Sequence, residues 1–455
     1  MKHRFIIAPI TLGLAAVVSI LPALPAHVHA ATRQSALTAA TISAPPVPNA
    51  AALMKKYGSK GITLTYVGDA VGLGHNRDLI LAAEFTKDTG IGVNIIPQPV
   101  ASTDSYSQKV RNFQAKSSAF DVMMIDVVWP GAFAPYLVDL KPYFSAAAIK
   151  QQAAGIVAND TVGGHLVAMP WFGDFGILYY RTDLLKKYGF SQPPKTWDEL
   201  TSMAKTIQAG ERKSNSRFSG FVFQGNAYEG LTCDALEWLA SSGTPNFVVN
   251  GKADLNNPKA IAMLKLAQSW IGTISPRGVT TYQEGDAQVA FTSGNAAFER
   301  NWPYAYALNL ATGSKVIGKF DVTTLPAEAG SQPVGTVGGW QLAVSKFSKN
   351  IPASVEFLRY MTSPAAEKFN AIYAGLVPTM ASVASDPQVL KAQPYLKPAI
   401  ANVMRVTRPA GIFGVNYTKA SQVIFQGINQ VLNGSDPSSI VSGLDTKLNA
   451  ILAQH

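Results

Sequence analysis

Three carboxylates stand where chemistry could gather. Asp126 closes the apolar run DVMMID and is followed by VVWPGAF, Asp174 lies in PWFGDFGILYY between Gly173 and Gly176, and Glu299 sits in FERNWPYAY. A charge among aromatic rings needs a partner or water. Asp174, with Trp171, Phe172, Phe175, Tyr179 and Tyr180 around it, must therefore face something polar. Two chemistries are open to such acids. A pair flanking a glycosidic bond could protonate the leaving oxygen and activate a nucleophile, which is hydrolysis. Alternatively they could accept hydrogen bonds from a ligand's hydroxyls while rings stack on its C–H faces.

Other reactive constellations are missing from the sequence. It holds no GxSxG elbow, no GxxxxGK[ST] phosphate loop and no HExxH. GLGHN at 72–76 lacks the third glycine and following acid of a dinucleotide loop. Six histidines, three of them in the first thirty residues, are too few and scattered for a metal site, so no metal or cofactor is expected. What recurs is rings interleaved with polar groups: PWFGDF, FQGNAYEGL, FERNWPYAY, GGWQ and VTRPAGIFGVNYTKAS, most beside Gly or Pro.

The elements that must hold these residues are legible in the patterning. ITLTYVG alternates as a strand, RDLILAAEFTKDTG has helical spacing with a stop at Gly90, and IGVNIIPQ is a second strand. SYSQKVRNFQAKSS reads as a helix and DVMMID as a third strand, so the βαβαβ order predicts a parallel, doubly wound lobe. Ligands of such sheets sit beyond the carboxyl ends of the strands, where Asp126 falls. HLVAMPWF and FGILYYR read as strands, DLLKKYGF as a helix closed by Gly189, and a second α/β lobe follows. PPKTWDEL carries a capping box of Thr196 and Glu199, which gives Asp198 and Glu199 a complete structural role.

Composition bounds the setting. The chain has 455 residues, 47% apolar and 15% charged, as a folded globular protein does. Lys2, His3 and Arg4, the apolar stretch FIIAPITLGLAAVVSILPALPA and the VHA site before Ala31 predict a cleaved secretory signal over 1–30. Residues 31–55, rich in Ala, Ser, Thr and Pro, read as a flexible leader. The formal charge of +10 includes Lys2 and Arg4, and the longest basic cluster, ERKSNSR, is broken by polar residues. That describes a solvated surface and no nucleic-acid partner. The lone cysteine, Cys233 in LTCDALEWL, precludes an intramolecular disulfide and reads as a small buried apolar residue.

FDVMMIDVVWPGAF, PWFGDFGILYYRTDLLKKYGFSQPPKTWDEL, GFVFQGNAYEGLTCDALEWL, GNAAFERNWPYAY and VGGWQLAVSK together resemble an extracellular solute-binding protein of an ABC-type sugar importer. Within that family the chain is most similar to trehalose- and maltose-binding proteins, from about Tyr57 onward. The resemblance implies a type II periplasmic-binding fold: two α/β lobes joined by crossing strands, with 56–168 and 316–361 in lobe one and 169–315 and 362–455 in lobe two. It implies ligand contacts from Asp126, Phe172, Asp174, Trp302, Gly339, Trp340, Arg408 and Tyr417. Phe172 replaces a family tyrosine and so offers one hydroxyl fewer. The first loop, VGDAVGLGHN, offers Asp69 or His75 for the family's acidic position. The implied protein is a non-catalytic, monomeric carrier outside the cytoplasm that passes a di- or oligosaccharide to a membrane permease. A secreted glycosidase using Asp126, Asp174 or Glu299, or a carrier of another polar solute, are the rival readings.

Overall fold

The computed structural model describes residues 42–396 and 404–454. The expected signal segment and the leader up to residue 41 lie outside them. The described chain opens with helix α1 (Ala50–Tyr57), then β1 (Thr63–Gly68), α2 (Gly74–Thr89), β2 (Gly92–Pro97), α3 (Ser102–Gln114) and β3 (Val122–Asp126). β1 lies between β2 and β3, both parallel to it, as the βαβαβ pattern predicts. Gly90 ends α2 with a φ of 70°, the left-handed conformation that glycine adopts without strain. Every residue of β3 is buried, because the strand has a neighbour on each side and helices cover the sheet.

β4 (Met169–Phe175) and β5 (Ile177–Arg181) follow, separated by Gly176 alone. Next come α4 (Trp197–Glu211), β6 (Ser219–Val222), α5 (Glu229–Ala240), α6 (Pro258–Trp270), α7 (Glu284–Thr292), β7 (Ala296–Asn301) and β8 (Phe320–Thr323). The predicted capping box starts α4: Thr196 accepts from the Glu199 N–H and Glu199 accepts from the Thr196 N–H. The long strand β9 (Val334–Val344) precedes α8 (Ile351–Met361), α9 (Pro364–Ala374), β10 (Met404–Val406), α10 (Tyr417–Leu432) and α11 (Pro437–Leu452).

Two sheets result. One runs β10-β9-β3-β1-β2 with β4 also on β9, and the other runs β8-β5-β7-β6. Gly176 therefore carries the chain from one sheet to the next. A Cβ there would meet the Glu237 carboxylate at 1.9 Å and the Arg300 guanidinium at 2.7 Å, so a larger residue would have to displace that buried ion pair. α10 packs on α5 and α6 of the second lobe, and α8 and α9 pack on α2 of the first.

These pairings move the expected lobe boundaries. β4 belongs to the first sheet through its register with β9, so the crossing lies at Gly176 rather than at 169. β8 is the edge of the second sheet, which takes it out of the lobe assigned to 316–361. Residues 362–396 join the first lobe: Arg77 Nη1 donates to Asn370 at 2.7 Å and Thr379 Oγ1 donates to Gln152 at 2.6 Å. The flexible leader is also corrected over 42–55. The Val47 N–H donates to Asp88 at 2.9 Å, Tyr360 donates to the Pro45 carbonyl at 2.8 Å, and Val47 and Leu53 are buried. A few apolar anchors and an alanine-rich helix suffice to dock that stretch.

Candidate functional site

The carboxyl ends of the three parallel strands deliver one residue each to a common cavity. Asp69 follows β1, Gln98 follows β2 and Asp126 ends β3. Across from them the β4–β9 ribbon brings Phe172, Asp174, Gly339 and Trp340, and the second lobe adds Glu229, Glu284 and Trp302. About 780 Å³ of space, the open mouth included, lies between these walls.

Strand alternation selects who faces it. In β4, Phe172 and Asp174 line the cavity whereas Phe175 does not. β9 crosses them with Gly339 opposite Gly173 and Trp340 opposite Phe172. Gly339 has a φ of 119°, and a Cβ there would meet the Phe172 carbonyl oxygen at 2.5 Å. The backbone contact of the two strands thus requires glycine. At Gly173 no such approach exists, since the nearest atom to a Cβ would be 3.9 Å away.

Asp174 carries the main electrostatic feature. Its Oδ1 is buried and has no hydrogen-bond partner among the described residues. Burial holds its carboxyl well above the usual carboxylate range, against the opposing pull of Arg300 and the Phe175 N–H. Arg300 itself is spoken for: it bonds both Glu237 oxygens at 2.6 and 2.8 Å and the Gln224 side chain at 3.0 Å. An unpartnered acceptor of this kind is costly unless a ligand supplies the donor.

The rings are fixed from behind. Arg300 lies 4.0 Å from the Trp302 ring centroid, and Trp302 Nε1 donates to Glu284 at 3.3 Å. Tyr228 donates to the other Glu284 oxygen at 2.6 Å. Trp340 meets Trp129 edge-on with centroids 5.5 Å apart. Phe172 rests on Trp171, against which Arg77 also lies, at 4.1 Å.

Arg408 joins the two walls. Its Nη2 donates to Asp126 at 2.7 Å and its Nη1 to Glu229 at 2.8 Å, while its buried Nε has no partner among the described residues. Ser421 donates to the second Glu229 oxygen at 2.6 Å, and Tyr417 donates to the first. Tyr417 is thereby corrected as a ligand contact. It is buried behind Glu229 and does not line the cavity, and its hydroxyl is already committed.

Asp126, Phe172, Asp174, Trp302, Gly339, Trp340 and Arg408 all reach the cavity. Of the two first-loop candidates Asp69 lines it, held by Arg77 at 3.2 Å, and His75 does not. Glu299 is fully buried on β7, accepts from Asn301 at 2.6 Å and lies outside the lining; burial pushes its carboxyl up to about 8. Glu229, Glu284 and Gln98 were not singled out by sequence reasoning. FQGNAYEGL contained Glu229 unremarked, and the position of Gln98 just past a strand end was signal enough. Glu284 looks like an ordinary first-turn acid.

A cleft between two α/β lobes, lined by acids and rings and spanned by one guanidinium, defines a hinged solute-binding protein. The chain belongs to the bacterial extracellular solute-binding protein family, whose sequence pattern it matches over residues 78–368. It is 46% identical over 395 residues to a probable ABC transporter-binding protein of Deinococcus radiodurans, covering 86% of this chain and 94% of that one. It also resembles maltose-bound MalE3 of T. maritima, at 37% identity and a TM-score of 0.80 over 86% of this chain and all of that one. A solute-binding protein from Agrobacterium radiobacter in complex with ribitol matches at 25% identity and a TM-score of 0.74, over 86% and 99% of the two chains.

Proposed function

We propose that this chain is the capture component of an ABC-type importer, taking a neutral di- or oligosaccharide between its lobes and passing it to a membrane permease. The observation that carries this is the unpartnered Oδ1 of Asp174 in a cavity walled by Trp302, Trp340 and Phe172. Rings offer flat faces to sugar C–H groups, and carboxylates accept from the hydroxyl rim. Five acids, Asp69, Asp126, Asp174, Glu229 and Glu284, line the cavity against the single cation Arg408. That balance opposes phosphorylated or acidic ligands and suits neutral polyols. Similarity to a protein solved with maltose supports a disaccharide of the maltose kind, and similarity to one solved with ribitol keeps linear polyols in view.

Ligand bridging both walls favours the closed arrangement of the lobes, the hinge motion that such proteins use. The carrier acts outside the cytoplasm as a monomer after loss of residues 1–30, and no helix among the described residues is long and apolar enough to cross a membrane. A glycosidase reading loses Glu299, which lies outside the cavity. Titration of the wild-type protein and of Asp174→Ala with maltose tests the proposal. The variant is expected to bind about 10–150-fold more weakly, and equal binding would defeat the assignment.

A further inference from the structure

Many polar groups on the cavity wall accept hydrogen bonds, and several of the donors it holds are already engaged. Trp302 Nε1 and the Tyr228 hydroxyl both point at Glu284, and Arg408 divides itself between Asp126 and Glu229. A sugar presents more than hydroxyls. Its ring and bridging oxygens have lone pairs and no proton, so they need a donor from the protein.

Gln98 supplies one, and its orientation is fixed from behind. Its Oε1 accepts from Ser105 Oγ at 2.8 Å and from Lys109 Nζ at 3.0 Å. Lys109 also donates to Ser105 Oγ at 2.7 Å, so the serine passes its own proton on to Gln98. An ammonium has donors only, so the amide cannot turn its NH₂ toward Lys109 without setting donor against donor. The Nε2 makes no hydrogen bond among the described residues, and the side chain lines the cavity at only 5% exposure. Ser105 and Lys109 stand four residues apart on one face of α3, which makes a rigid backing of the pair.

Lys109 is an unusual residue to bury. It is fully enclosed, and burial pushes its ammonium down to about 7, with no carboxylate within salt-bridge reach among the described residues. Its other contact is the Trp129 ring, 5.4 Å from Nζ, and Trp129 in turn buttresses the cavity residue Trp340. Two of the three groups the amine touches, Gln98 and the Trp129 ring, therefore lie on the cavity wall or directly behind it.

We propose that Gln98 is a specificity-determining donor for the proton-free oxygens of a cyclic sugar, and that Lys109, through Oε1, is the positioning residue that keeps its NH₂ turned into the cavity. This deepens the sugar-carrier reading and rests on it. The arrangement distinguishes a ring sugar from a linear polyol, because a polyol oxygen always carries a proton that it can turn toward an acceptor.

The test uses the full mature chain at pH 6, where the amine is charged, with maltose and mannitol as calorimetric probes and melting temperature as the control. Gln98→Glu keeps both contacts to α3 but replaces the donor with an acceptor. It is expected to weaken maltose at least about tenfold while changing mannitol by about threefold or less. Lys109→Met frees the amide to flip and is expected to weaken maltose by about three- to tenfold with an unchanged or higher melting temperature. Equal losses for the two probes in Gln98→Glu, or unchanged maltose binding in either variant, overturn the proposal. So does a maltose loss in Lys109→Met that merely follows a falling melting temperature. If the wild type takes neither probe, the sugar reading fails on its own. The orientation is then read from the Gln98 side-chain NH₂ signals in the ligand-free protein: exchange with water supports it, and a protected pair overturns it.

Discussion

Arg408 Nη2 lies 2.7 Å from Asp126 Oδ1, and that contact ties the end of β3 in the first lobe to the segment following β10. The same guanidinium reaches Glu229, the first residue of α5 in the second lobe. One side chain thus spans the cleft that ligand must enter, and its free Nε leaves it a donor to spare. Arg408→Met would strand two buried carboxylates, and breaking a buried pair of this kind costs about 3–5 kcal/mol. We expect a clear fall in melting temperature together with loss of sugar binding. Asp126→Asn keeps the shape of the site and leaves Arg408 paired with Glu229. It should retain most of the stability while weakening sugar binding about tenfold or more in a calorimetric titration.

Asp174→Asn separates stability from function. The carboxyl is raised by burial, so its favourable contribution is complete below the ordinary carboxylate range and is lost as pH rises through its folded value. At neutral pH the amide removes that penalty. Thermal melts at pH 7 should show the variant equal to or above the wild type, while maltose binding weakens. A destabilised variant would mean that Asp174 serves the fold.

Trp302 is expected to stack on a sugar face opposite its Arg300 contact. Trp302→Phe retains a ring but loses the bond to Glu284, and should weaken binding about three- to tenfold, as loss of an aromatic contact does. Tryptophan fluorescence should change on sugar addition in the wild type, with a smaller change in the variant.

Glu299 contributes to the pH response of the fold, as do other buried carboxyls such as Asp78 and Asp174. Its carboxyl is raised from 4.5 to about 8 by burial, opposed by the hydrogen bond from Asn301. The stabilisation it provides is whole below pH 4.5 and drains away as pH climbs through about 8. Glu299→Gln, which cannot ionise, should remove this group's share of the decline in unfolding free energy between those limits, on the order of a few kcal/mol at the alkaline end. Sugar affinity should stay within about twofold, because the side chain does not line the cavity.

The first lobe was legible because its strands and helices are local and periodic, from ITLTYVG to DVMMID, and the strand-end rule located Asp126. Asp174 announced itself as a charge set among rings and glycines, and Trp302 came from the family resemblance of FERNWPYAY. The lobe boundaries were not legible, since residues 169–175 and 320–323 look alike as short strands and only long-range pairing assigns them to different sheets. Tyr417 misled for a related reason. Aromatic spacing on α10 shows that a ring is presented, but that Glu229 stands between it and the cavity depends on how α10 packs against α5. Glu229 itself was hidden in a helix start, where an acid already has a role against the helix dipole.

The most direct test of the account is calorimetric titration of the mature chain with maltose and trehalose, followed by recovery of the sugar from the cell. The account predicts saturable one-to-one binding of at least one of them, weakened in Asp174→Ala, with the disaccharide recovered whole. Release of glucose, or binding that Asp174→Ala leaves untouched, would contradict it.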